Sequence, residues 1–119
     1  MATLTEGMYP AEFLVSEASG TRSRAVGTLA SGNNLDAGTV VGVITASGKY
    51  ADYDADAADG TETAAGVLLA PVDASSADAD CVVIVRDAEV NADELTWTDQ
   101  ANDETAGTAD LAALGIIVR

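Results

Sequence analysis

Apolar residues in this chain come in short runs, cut by clusters of Gly, Asp, Asn, Ser and Thr. The strongest run is Cys81-Val82-Val83-Ile84-Val85. A continuous apolar run of this length predicts a strand over 81–86 buried on both faces, in a core or in a subunit interface. Thr39–Thr45 is rich in β-branched residues and predicts a second strand. Ser47-Gly48 reads as a tight turn and Lys49–Tyr53 as the return strand, which makes a hairpin. Ala64–Ala70 predicts a strand that stops at Pro71, because proline cannot donate to a ladder. Ala11–Ser16, Ala25–Leu29 and Ile116–Val118 are further short strands. Between them, Asn33–Gly38 is a turn cluster, Asp54–Thr63 an acidic loop closed by Asp59-Gly60-Thr61, and Ser75–Asp80 a loop.

One segment changes period. Asn102 suits a helix N-cap, with Asp103 and Glu104 following in the first turn at the positive end of the helix dipole. Leu111 and Leu114 are spaced to share one face, and Gly115 suits the position after the helix. Gly107 weakens the helix by about 1 kcal/mol relative to alanine. Many short strands, one helix near the C-terminus and no βαβ alternation predict a mainly β fold with antiparallel or mixed pairing. The 119 residues suffice for one domain. The five aromatics are Tyr9, Phe13, Tyr50, Tyr53 and Trp97, so the core must be built from Ala, Val, Leu and Ile. Small β-rich domains with modest cores often gain stability by oligomerising.

Charge divides the chain. The net formal charge is −15. Residues 1–32 hold Glu6, Glu12 and Glu17 against Arg22 and Arg24, a net of −1, and residues 33–119 hold the remaining −14. The first 32 residues also have few apolar anchors. They are expected to be a flexible arm, weakly held until a partner orders it, ahead of a β domain over 33–119. A near-neutral arm on an anionic body makes the arm the part that touches something. Nucleic acid and anionic membranes are excluded as partners by repulsion. The acidity itself reads as solubility or tolerance of salt. No apolar run approaches the length needed to span a bilayer, and no basic segment precedes an apolar one at Met1-Ala2-Thr3-Leu4, so synthesis and folding in a cytoplasm are expected.

Candidate chemistry is sparse. The chain has no histidine, which removes Ser-His-Asp and Cys-His catalysis and His-ligated metals. Cys81 is the only cysteine and reads as a buried, inert thiol. Asp52, Asp54 and Asp56 have the spacing that opens an EF-hand loop, but Ala57 stands where its glycine belongs and Thr63 where its bidentate Glu belongs. On a strand the three would share one solvated acidic face, so calcium binding is the weaker reading. Lys49, the sole lysine, is expected to be an exposed turn cation. Trp97 reads as core or interface, with sugar stacking as the sharper alternative. Arg22 and Arg24 would face the same way on an extended arm, placed to pair with carboxylates of a partner or simply solvated. No catalytic, cofactor-binding or metal-binding residue is assigned.

The order of short motifs carries a resemblance. These are Leu35-Asp36-Ala37-Gly38-Thr39, Gly48-Lys49-Tyr50, Asp59-Gly60-Thr61, Ala65-Gly66-Val67-Leu68, Leu95-Thr96-Trp97, Asp103-Glu104-Thr105 and Gly115-Ile116. From about Leu35 onward the chain resembles the lambda-type bacteriophage head decoration proteins. The resemblance implies a β-clip-like incomplete barrel with a bent β-ribbon and a flexible N-terminal arm. It implies homotrimers seated on the outside of the expanded capsid at three-fold and quasi-three-fold positions, with the major capsid protein as partner. It implies no cofactor and no small-molecule substrate. On this reading the capsid-binding arm uses Phe13, Leu14, Val15, Arg22 and Arg24, and Pro71, Val72, Val83, Val85 and Trp97 are candidates for the trimer interface. The rival readings are a virion-displayed module that binds host surfaces or glycans, and a small nucleotide hydrolase on the same kind of fold.

Overall fold

The computed structural model describes residues 14–17, 23–97 and 100–119. In chain order its strands are β1 (Leu14–Glu17), β2 (Arg24–Leu29), β3 (Asn33–Leu35), β4 (Val40–Val43), β5 (Tyr50–Asp52), β6 (Gly66–Leu68), β7 (Val72–Ala74), β8 (Ala79–Ile84) and β9 (Ala88–Val90). A 3-10 turn (Ala92–Glu94), the helix α1 (Gln100–Ala113) and β10 (Ile116–Val118) complete it. Among the described residues the chain is mainly β with one α-helix, near the C-terminus, as the run pattern predicts.

Five strands close into a small barrel in the order β2-β5-β4-β6-β8. The longest seam is antiparallel β2–β8, from Arg24 opposite Ile84 to Leu29 opposite Ala79. Closure rests on one parallel pair, Leu29 with Tyr50, and on the bond from the Ala30 amide to the Tyr50 carbonyl at 2.8 Å. A barrel joined this narrowly fits the expected incomplete barrel. A three-stranded sheet, β1-β9-β10, and a two-stranded one, β3-β7, flank it.

Alternation along the strands builds two cores. Successive strand residues point to opposite faces. Val40, Val67 and Ile84 join a cluster with Tyr53, Val90, Leu95, Leu111 and Ile116. Their chain neighbours Val41, Leu68 and Val83 join a second, with Leu29, Leu35, Ala74 and Cys81. Both faces of β4, β6 and β8 are therefore covered, which is why these strands read as unbroken apolar runs.

Three expectations change. The helix begins at Gln100, so Asn102 lies inside it and is not its cap. Leu111 is fully buried, but Leu114 lies past the helix end and stays 37% exposed. Gly115, at φ +85°, reverses the chain there and delivers Ile116 to the core in its place. The Asn33–Gly38 cluster contains a strand, β3, which pairs with β7 from Asn33–Ala74 to Leu35–Val72. Its sequence hides this because only Leu35 of β3 is buried.

Candidate functional site

Apart from Leu114 after the helix, the exposed large hydrophobic side chains among the described residues lie on two surfaces. The first is a groove. Val26 stands mid-strand on β2, opposite Val82 of β8, and is 79% exposed. Pro71 ends the ladder of β6, and the segment Leu69-Ala70-Pro71-Val72 runs beside these valines. Together they enclose a shallow, mostly apolar groove of 280 Å³ with Asp80 on its rim and Cys81 below it. Burial, with the Asp80 charge adding to it, pushes the Cys81 thiol pKa up, so the thiol stays protonated and unreactive. The next residue, Gly27, lies under the Tyr50 ring, and a Cβ there would sit 2.4 Å from that ring.

The second surface is the outer face of the β1-β9-β10 sheet. Leu14 pairs with Val90 and turns inward onto the first core, while Val15 faces out, 56% exposed. Ile117 of β10 pairs with Glu89 and is also 45% exposed. The Arg119 guanidinium lies 2.9 Å from the Glu89 carboxylate, between the two apolar side chains' strands. Leu14 and Val118 meet the same residue, Val90, from opposite sides. The start of β1 and the C-terminal end of the chain thus share one edge of the molecule.

A polar pocket of 220 Å³ is lined by Asn34, Leu35, Asp36, Thr39, Asp52 and Thr96. Burial raises the Asp52 carboxyl pKa. The expected common face of Asp52, Asp54 and Asp56 does not form. β5 ends at Asp52, and the chain turns so that Asp54 accepts the Asp56 amide at 3.0 Å. Among the described residues no group of three His, Cys, Asp or Glu is placed to hold a metal ion. Lys49 is more than a loose turn cation. It pairs with Asp78, whose other oxygen accepts the Ser31 amide at 2.8 Å, so one carboxylate ties the β4–β5 turn to the β2–β3 turn.

The family model for the bacteriophage lambda head decoration protein D matches residues 3–116. The chain belongs to this head decoration family. No curated protein matches it. Membership gives it a structural role on the phage capsid and a place in the virion, in a family that is not one of enzymes.

In this decoration protein the sequence-nominated residues separate. Phe13 and Arg22 lie outside the described residues. Leu14 and Val15 sit on β1, at the second surface. Arg24 opens the barrel strand β2, so the segment nominated as an arm contains part of the barrel. Pro71 and Val72 line the groove. Val83 is fully buried inside the protomer and reaches no surface, because its side chain fills the second core. Val85 packs half-buried on that core. Trp97 packs edge-on against Tyr53, with ring centroids 6.0 Å apart at 71°. The run that holds Val82 and the segment around Pro71 are already interface candidates in the sequence, but Val26 is not. The available signal was its place three residues before the buried Leu29, with Gly27 and Thr28 between them.

Proposed function

We propose that trimers of this decoration protein bind the outer surface of the expanded capsid, at three-fold and quasi-three-fold positions, and stabilise the head against the pressure of packaged DNA. The family match over residues 3–116 carries this reading. The groove of Val26, Leu69, Pro71, Val72 and Val82 supports it as the self-contact, since apolar surface with a single rim carboxylate is what a subunit interface buries. The β1-β9-β10 face and the residues before Ser23 are the proposed contact with the major capsid protein. There an extended segment could add main-chain hydrogen bonds that tolerate variable side chains. Three such contacts on one trimer raise effective concentration, so weak single contacts hold together. Binding to the expanded shell alone stabilises that state by mass action.

The test is co-sedimentation with expanded and unexpanded shells, beside a variant lacking residues 1–13. That deletion spares β1 and the barrel strand β2. Saturable binding to expanded shells only, weakened by the deletion, is the expected outcome. Absence of binding to either shell refutes the proposal, and undiminished binding by the variant refutes a part for residues 1–13 in it.

A further inference from the structure

The chain contains one Asp-Gly pair, Asp59-Gly60, in the acidic loop. Such a pair is chemically weak, because a following glycine offers no side chain to hinder attack by its own nitrogen. We propose that Asp59-Gly60 is a latent isoaspartate site that its own loop holds shut.

The reaction begins from the protonated Asp59 side chain. The Gly60 nitrogen attacks Asp59 Cγ, the N–Cγ bond forms, and the hydroxyl leaves with the amide hydrogen as water. Water then opens the resulting succinimide. Cleavage between the nitrogen and the Asp59 main-chain carbonyl carbon routes the backbone through the side chain and yields isoaspartate.

Both reacting groups are engaged in the folded loop. The Gly60 amide donates to Glu62 Oε2 at 2.7 Å. Asp59 Oδ1 accepts from the Thr61 amide at 3.1 Å and the Thr61 hydroxyl at 2.6 Å. Those two bonds also hold the Asp59 pKa below its ordinary value, which keeps the unreactive carboxylate form.

Packing explains why the weak pair is present at all. A Cβ on Gly60 would lie 2.4 Å from both the Val43 carbonyl oxygen and Thr45 Oγ1, and its φ is +112°. The Asp59 carbonyl accepts the Thr45 amide at 2.9 Å. Glycine is therefore fixed by close approach to the end of β4, and Asp59 by its hold on the buried Thr61. Isomerisation would lengthen the main chain between these contacts and pull both apart. A shell component lasts as long as its particle, so slow chemistry of this kind accumulates.

The full chain is aged in warm, mildly acidic buffer, natively folded and in urea, and isoaspartate at 59 is read by peptide mass mapping in heavy-oxygen water. Attack needs local opening, so the native rate is expected to be at least about tenfold below the unfolded one. Glu62→Ala, with native circular dichroism, should recover most of that gap, and Glu62→Gln, which keeps an acceptor oxygen, should not. A native rate equal to the unfolded rate overturns the proposal. So does a folded Glu62→Ala protein that reacts no faster than wild type. If Glu62→Ala loses the fold, Thr61→Val, which deletes one hydroxyl from the same network, is judged by the same criterion.

Discussion

Replacing Gly107 by alanine separates two opposite expectations. In an exposed helix the change adds about 1 kcal/mol of stability through helix propensity alone. Gly107 is not exposed. A Cβ there would sit 2.2 and 2.8 Å from two carbons of the Trp97 ring and 3.0 Å from the Tyr53 ring. The first distance is far inside van der Waals contact. Trp97 cannot withdraw freely, because it packs on Tyr53, which is itself fully buried beneath the helix. Overpacking of this kind costs about 1–3 kcal/mol, and the short distance places this site at the upper end. Net destabilisation of about 2 kcal/mol is expected once the propensity gain is subtracted. Equilibrium urea unfolding, followed by the fluorescence of the sole tryptophan, should show a lower midpoint with an unchanged slope. In a Trp97→Phe background, where unfolding is followed by circular dichroism because the tryptophan is gone, the outer ring carbons are absent and the same substitution should become neutral or stabilising. Refutation would be a more stable Gly107→Ala protein, or two substitutions whose effects add within about 0.5 kcal/mol.

Three other outcomes follow from charge and exposure. Asp59, Asp73 and Asp78 all have pKa values held below the ordinary range, Asp78 chiefly by its bond from Lys49. Their stabilisation is complete above an unfolded pKa of about 4 and is lost as pH falls through the lower folded values, so Asp78→Asn should flatten the acid limb of a stability-against-pH curve. Asp52 has the opposite sign: burial raises its pKa, its charge opposes folding at neutral pH, and Asp52→Asn should raise the melting temperature there, with the gain vanishing as acid protonates the wild type. Val26→Ser should leave monomer stability within about 0.5 kcal/mol, because the side chain is already exposed, yet abolish the proposed self-association in sedimentation at high salt.

Much of the barrel is legible in the sequence because its strands are buried on both faces. Val40-Val41, Val67-Leu68 and Val83-Ile84 each send neighbours into different cores, so the run itself is the signal. Elements held by backbone pairing with few apolar anchors are not legible. β3 and β7 bury Leu35 and Ala74 alone and look like turns. β2 is legible as a strand at Ala25–Leu29, but its few apolar anchors do not tell that it forms the longest seam of the barrel with β8. Its alternation is weak because Gly27 replaces a side chain with the ring of a distant residue, Tyr50. The candidate surfaces were half legible. Proline marks the groove at Pro71, but whether a valine is core or surface depends on strand register, and that separates Val26 from Val83.

Composition reads the acidity as solubility, and the loops show a second use for it. Asp54, Asp59, Asp73 and Asp78 accept the amides of Asp56, Thr61, Ser75 and Ser31. Asp103 and Asp110 reach from α1 to the amides of Ala55 and Ala64, each at 3.0 Å. A fold built mostly from three- and four-residue strands leaves many amides without a ladder partner, and a short carboxylate satisfies one with little side-chain entropy lost. If that is why aspartate dominates, the acceptor oxygen matters more than the charge. Asp110 separates the two, because Ala64 is buried and its amide has no water to turn to. Asp110→Ala strands that donor and should cost about 1–3 kcal/mol, whereas Asp110→Asn keeps a carbonyl oxygen and should cost less than half as much. Equal losses in the two variants, measured by urea unfolding at neutral pH, would return the acidity of this chain to a matter of charge alone.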